Sequence, residues 1–183
     1  MKPTKSEDKY VSPLPQLLVS EAIHEFEKKY ENMTDKSTHI EINICNMGVK
    51  PGFAMASQMC RNGQDFETLD DICKFLTTRF SQTLFKVTAK YVLSPQKVLS
   101  ITFPEKVPSW FNCIVSPNGS MTPQQIFYFR AYAYFFLGLF QGAFLHFGYK
   151  ATPALDNKPP LLSLLFRLES LDGSWEFMSN TKH

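Results

Sequence analysis

A chain of 183 residues with 44% apolar and 20% charged residues suits one globular domain with a real core. A net charge of +2 advertises neither a nucleic-acid groove nor a polybasic membrane patch. Phenylalanine is the outlier, 17 against 2 tryptophans, which implies thick aromatic packing first and an aromatic-lined ligand pocket second.

The four cysteines, Cys45, Cys60, Cys73 and Cys113, form no CxxC pair and no metal-ligand spacing with the histidines. The start "MKPTKSEDKYVSPLP" lacks the apolar stretch of a secretory signal. Free thiols in a reducing, cytosolic compartment are therefore expected, and the sequons at Asn32 and Asn118 carry little weight.

In chain order, residues 1–11 read as a polar, disordered tail. Ser12 caps and Pro13 opens a first amphipathic helix, with Leu14, Leu18, Ala22, Phe26 and Tyr30 in a four-residue row beside Leu17 and Ile23. Glu21, Glu25 and Lys28 take its opposite face. "HIEINIC" alternates Ile40, Ile42 and Ile44 with polar residues, so local signals give a strand or irregular turn. Pro51 disfavours helical geometry at Lys50, and a short helix follows from Phe53.

After a break at Asn62-Gly63, Asp65 or Thr68 caps a helix with Asp70 and Asp71 in its first turn. Leu69, Ile72, Cys73, Leu76, Phe80 and Leu84 form its stripe. Two strands, Tyr91 to Leu93 and Val98 to Phe103, flank a Ser-Pro-Gln-Lys turn. "PSWFNCIVSPNGSM" reads as a loop with buried aromatics, before a long helix from Thr122-Pro123 to a glycine cap at Gly148. "KATPALDNKPP" reads as a polar loop and "LLSLLFRLES" as a buried strand. Residues 12–172 then make one domain, with 173–183 as a tail.

The long helix contains "FFLGLFQGAFLHFGY". Its Ala131 to Tyr149 stretch is near the ~20 residues of a membrane span, but Gln141 and His146 interrupt it and Arg130 and Lys150 flank both ends. Ala131, Gly138 and Gly142 fall within roughly 40° on a helical wheel. They form a flat strip against which another backbone can pack closely, in this chain or in a partner.

In order along the chain, "EFEKKYEN" (Glu25 to Asn32), "NMGVKPG" (Asn46 to Gly52), "QDFETLDDICKFL" (Gln64 to Leu76), "LGLFQGAF" (Leu137 to Phe144) and "LLSLLFRLE" resemble motifs of the small subunits of TRAPP, the transport protein particle. The resemblance spans Pro13 to Leu171 and is nearest to the Bet-three-type branch, whose subunit carries a buried acyl chain. It implies an α+β fold with amphipathic helices packed on one side of a small antiparallel sheet. Gly48 and Gly52 match the family-motif glycines of a second helix, which is helical in the family where "HIEINIC" alternates here, with Pro51 delaying its start or kinking it. Gln141 stands where the family often has arginine.

The resemblance further implies pairing with other TRAPP small subunits, as homo- or heterodimer, in a rod-like complex that tethers vesicles in ER-to-Golgi transport. That complex acts collectively as a nucleotide-exchange factor for a Rab-type GTPase. The subunit itself would be a cytoplasmic scaffold at cis-Golgi and ER membranes that catalyses nothing. The branch's acylated cysteine falls at Gly63 here, which leaves Cys60 as the acyl-attachment candidate, against a buried structural thiol. No Gly-rich phosphate loop, HExxH helix or Gly-x-Ser-x-Gly elbow is present. No metal and no nucleic acid are expected, and no cofactor apart from such a fatty acyl chain. A small-molecule or lipid-binding module with an aromatic-lined apolar pocket is the alternative.

Overall fold

Two glycines on each of two long helices let those helices touch backbone to backbone. The structure, a computed structural model, describes residues 14–61, 66–103, 111, 114, 120–155 and 162–171. The Ser12-Pro13 cap, the Asn62-Gly63 break, Asp65, Cys113, most of the 108–119 loop and both tails lie outside these residues.

The elements run α1 (Leu14–Lys29), α2 (Lys36–Cys60), α3 (Leu69–Phe75), a π-helical turn (Leu76–Phe80), α4 (Ser81–Phe85), β1 (Lys90–Leu93), β2 (Val98–Thr102), α5 (Pro123–His146), β3 (Tyr149–Leu155) and β4 (Ser163–Ser170). The four strands form one antiparallel sheet in the order β1-β2-β4-β3. Leu99 and Ile101 of β2, Leu164, Phe166 and Leu168 of β4, and Ala151 of β3 are buried on one face. By the strand register, Lys90, Val92, Ser100, Leu165, Arg167 and Thr152 share the other face. The helices therefore cover one side of the sheet, as expected for this α+β architecture.

Local chemistry explains most boundaries. Thr68 caps α3 in a reciprocal capping box with Asp71: the Asp71 N–H donates to Thr68 Oγ1 at 3.1 Å and the Thr68 N–H to Asp71 Oδ2 at 3.0 Å. Thr122 and Gln125 form the same box at the start of α5, with Pro123 in the first turn. Gly148 follows α5 with φ of 77°, and its N–H closes on the Leu145 carbonyl at 3.1 Å. The β1–β2 turn is Ser94 to Lys97, with Lys97 at positive φ and the Lys97 N–H donating to the Ser94 carbonyl at 3.0 Å.

Three sequence expectations are corrected. "HIEINIC" is helical, because α2 runs unbroken from Lys36 to Cys60 with Pro51 inside it. Ile40 and Ile44 stand four apart and head a buried row, Ile40, Ile44, Gly48, Gly52 and Ala56, while Ile42 faces outward. The apparent alternation came from one outward isoleucine between two inward ones. "KATPAL" is no loop: it completes β3, pairing along β4 from Tyr149 opposite Ser170 to Leu155 opposite Leu164. On α1, Leu17 and Leu18 are exposed, and Val19 and Ile23 carry the fully buried contact.

A smaller shift follows from the π turn. A helix widened by one residue advances its buried face from i+4 to i+5. Phe80 and Phe85 are accordingly both buried, and Leu84 only partly. The widened turn also spreads its carbonyls: Ser81 Oγ donates to the Leu76 carbonyl at 2.7 Å, and the Ala89 N–H to the Thr77 carbonyl at 2.8 Å.

α5 is buried nearly all round, from Phe129 to Phe144, because it lies between α2 and the sheet. Phe80, Phe85, Phe136, Phe140 and Phe166 join it to the rest of the core through ring contacts, among them Phe85–Phe136 at 4.1 Å and Phe80–Phe140 at 5.5 Å between centroids. No helix among the described residues is long and apolar enough to cross a membrane.

Candidate functional site

The sequence-selected glycines meet in one place. Gly48 and Gly52 of α2 face Gly138 and Gly142 of α5, and all four are buried. A Cβ on Gly48 would lie 2.5 Å from the Phe135 carbonyl oxygen and 2.8 Å from the Leu139 nitrogen. One on Gly52 would strike the Leu139 carbonyl, one on Gly138 the Cys45 carbonyl, and one on Gly142 the Val49 carbonyl. Only glycine leaves room for these approaches. Ala131 is fully buried on the same helix. The neighbour of this strip is the chain's own α2.

Contacts along the seam advance together: Glu41 with Arg130, Cys45 with Gly138, Val49 with Gly142, and Phe53 with His146. α2 and α5 therefore run in the same direction. A polar cluster that pattern reading missed holds the seam's beginning. Arg130 Nε donates to Glu41 Oε1 at 2.8 Å, with Glu41 7% exposed. Burial first, then the Glu41 charge, pushes the Tyr134 pKa up. The available signal was a lone acid one position after Ile40, on the inward side of α2. Further along, the half-buried Gln141 accepts a long contact from the Cys45 thiol, at 3.7 Å.

The seam's other end is aromatic. Phe53 meets His146 edge-on at 5.3 Å, and Phe66, Phe75 and Phe147 form a triangle of edge contacts between 4.9 and 5.8 Å. Burial pulls the His146 pKa down, which favours the neutral ring. Cys60 is the last residue of α2, half-buried against this core. Burial pushes its thiol pKa up and the Arg79 charge opposes this. Cys45 and Cys73 are buried more deeply, pushed up to about 11 and about 12. Gly63 lies outside the described residues.

Other titratable side chains on the helices have structural roles. Asp71 serves the capping box, and Asp70 accepts from the Tyr91 hydroxyl at 3.0 Å. His39 pairs with Asp35 at 3.3 Å and stacks on Tyr30. Among the described residues no three His, Cys, Asp or Glu side chains gather as a metal site.

The family model for transport protein particle (TRAPP) components matches residues 15–165. No curated protein matches the chain by sequence. Among solved structures, the chain is similar to a trafficking protein particle complex subunit 3 from Naegleria fowleri, which is covalently bound to palmitic acid. The TM-score is 0.63 at 16% identity, over 85% of this chain and 95% of that one.

Proposed function

This chain belongs to the family of transport protein particle (TRAPP) components, and from that premise we propose that it is a non-catalytic scaffold subunit of a vesicle-tethering complex. In this reading it pairs with other TRAPP small subunits, homo- or heterodimerically. The assembled complex, and not this chain alone, supports nucleotide exchange on a Rab-type GTPase in ER-to-Golgi transport. The chain would work in the cytoplasm, peripherally associated with cis-Golgi and ER membranes. The family match over residues 15–165 carries the reading.

The surface supports a scaffold role. Leu17 and Leu18 on α1 and Ile42, Met47 and Phe53 on α2 are large apolar side chains left exposed on the helix layer. A partner subunit would cover such residues. Affinity purification of the tagged chain from its native cells, read by mass spectrometry, tests this. Related small subunits should be recovered, and their absence would overturn the reading.

A second reading is favoured by the palmitic acid on the similar structure: a fatty acyl chain attached at Cys60, or an apolar ligand held as in a lipid-binding module. The half-buried position of Cys60 against the aromatic core is compatible with attachment there. A hydroxylamine-sensitive mass increase at Cys60 would support the thioester, and an unmodified thiol in natively purified protein would exclude it. Native mass spectrometry separates the module from the scaffold: a stoichiometric apolar ligand on a monomer, without paralogous subunits, favours the module.

A further inference from the structure

Proline follows a serine or threonine at five places in the chain, after Ser12, Ser94, Ser116, Thr122 and Thr152. Only Ser94 has a cation three positions on, in Ser94-Pro95-Gln96-Lys97; the others have Pro15, Gly119, Gln125 and Leu155 there. We propose that Ser94 is a phosphorylation site for a protein kinase that selects both features. A groove without an acceptor for the next N–H takes proline, which has none, and leaves other residues unsatisfied. An acid further along the groove takes the ammonium of Lys97.

The fold presents this stretch as the tip of the β1–β2 hairpin. Pro95, Gln96 and Lys97 are exposed and Ser94 is half-buried. The Ser94 N–H donates to the Val98 carbonyl at 2.9 Å, which leaves a three-residue loop. Such a loop closes on a left-handed residue, a position that glycine suits. Lys97 holds it instead, with φ of 57°, so a long cation stands where the backbone favours another residue. Two more bonds close the tip: the Val98 N–H donates to Ser94 Oγ at 3.1 Å and the Lys97 N–H to the Ser94 carbonyl at 3.0 Å. Extending the tip into a kinase groove breaks these few bonds and releases the left-handed turn. It does so at the end of a four-residue edge strand, where local opening is easiest. The other described sites are held inside elements: Thr122 Oγ1 accepts from the Gln125 N–H in the α5 cap, and Thr152 pairs with Arg167 within β3. Ser12 and Ser116 lie outside the described residues.

In the transfer, Ser94 Oγ attacks the terminal phosphorus of ATP held by the kinase. The Oγ–P bond forms as the bond from that phosphorus to the bridging oxygen breaks; ADP leaves, and the hydroxyl proton passes to a carboxylate of the kinase. The product carries about −1.5 to −2 charges at pH 7. The folded sheet has cations to receive it. Lys97 is in the same turn, and Val98 lies between Ser94 and Arg167 across the strands, which sets Arg167 about 10 Å away. No described acid forms a salt bridge with either cation.

The test incubates the full folded chain with magnesium, ATP and a cyclin-dependent kinase, a class with this double selectivity, and maps phosphate by peptide mass spectrometry. Ser94 should fill first, and Ser94→Ala should abolish that first incorporation. Lys97→Asn removes the cation but tolerates the left-handed backbone. It should slow transfer about tenfold or more while the melting temperature holds or rises, and Lys97→Arg should restore the rate. Phosphate on Ser12 or Ser116 ahead of Ser94, transfer only after heat unfolding, or an unchanged rate in Lys97→Asn would overturn the proposal. Chain purified from its native cells under phosphatase inhibition should carry the same mark. An unmodified Ser94 there would also overturn it, whereas TRAPP relatives recovered in that purification would leave the scaffold reading standing.

Discussion

Alanine in place of an interior helix glycine ordinarily stabilises a protein by about 1 kcal/mol. At Gly142 a methyl group would meet the Val49 carbonyl, with the Phe53 nitrogen 2.8 Å away. The obstacle is backbone, so α2 and α5 must separate, and overpacking of this kind costs about 1–3 kcal/mol. Gly142→Ala should therefore lower stability, read as a lower denaturation midpoint at unchanged slope; a rise would show that the helices yield freely. The cysteines differ by burial in the same way. A raised pKa keeps a thiol protonated to higher pH, and only the thiolate reacts with alkylating reagents. At pH 8, Cys60 should label before the other two described cysteines, faster as pH rises, while Cys45 (about 11) and Cys73 (about 12) label only on unfolding. Peptide mapping after brief labelling checks this, and early labelling of Cys73 would count against the packing described.

At the scale of elements, α2 shows what pattern reading loses. Three isoleucines at alternate positions satisfied a strand template, and tertiary contact with α5 decided otherwise, since Ile40 and Ile44 share a helical face with Gly48 and Gly52. The motif resemblance gave the helix that local propensity missed. β3 was hidden for another reason: Lys150, Thr152 and Ala154 face outward, so half of the strand looks like loop. α5 and the α3 stripe were legible because capping boxes and long apolar periods act locally. Pro51 sits on the exposed side of α2 and denies the Met47 carbonyl its usual donor. Pro51→Ala should raise stability by up to about 3 kcal/mol, visible as a higher melting temperature. Glu41→Ala should lower it by about 1–3 kcal/mol, because Arg130 loses its acceptor inside the helix pair.

Across the whole molecule, the sequence disclosed the glycines of the seam but not their partner, because periodicity ranks faces without saying what covers them. The Glu41–Arg130 pair, 89 residues apart in sequence, was invisible for the same reason. If the helix layer receives a related subunit, Leu18→Glu together with Ile42→Glu should remove that subunit from affinity purifications. The isolated chain should keep its melting temperature, since both side chains are exposed and surface changes stay within about 0.5 kcal/mol. Loss of stability without loss of the partner would contradict the assignment. The seam has a mechanical consequence as well. Over their four glycines the two parallel helices touch backbone to backbone with no side-chain layer between them, and α5 is itself seated on β3. A load applied to α2 by a neighbouring subunit would pass to the sheet with almost no slack, so this domain behaves as a stiff strut and not as a cushion.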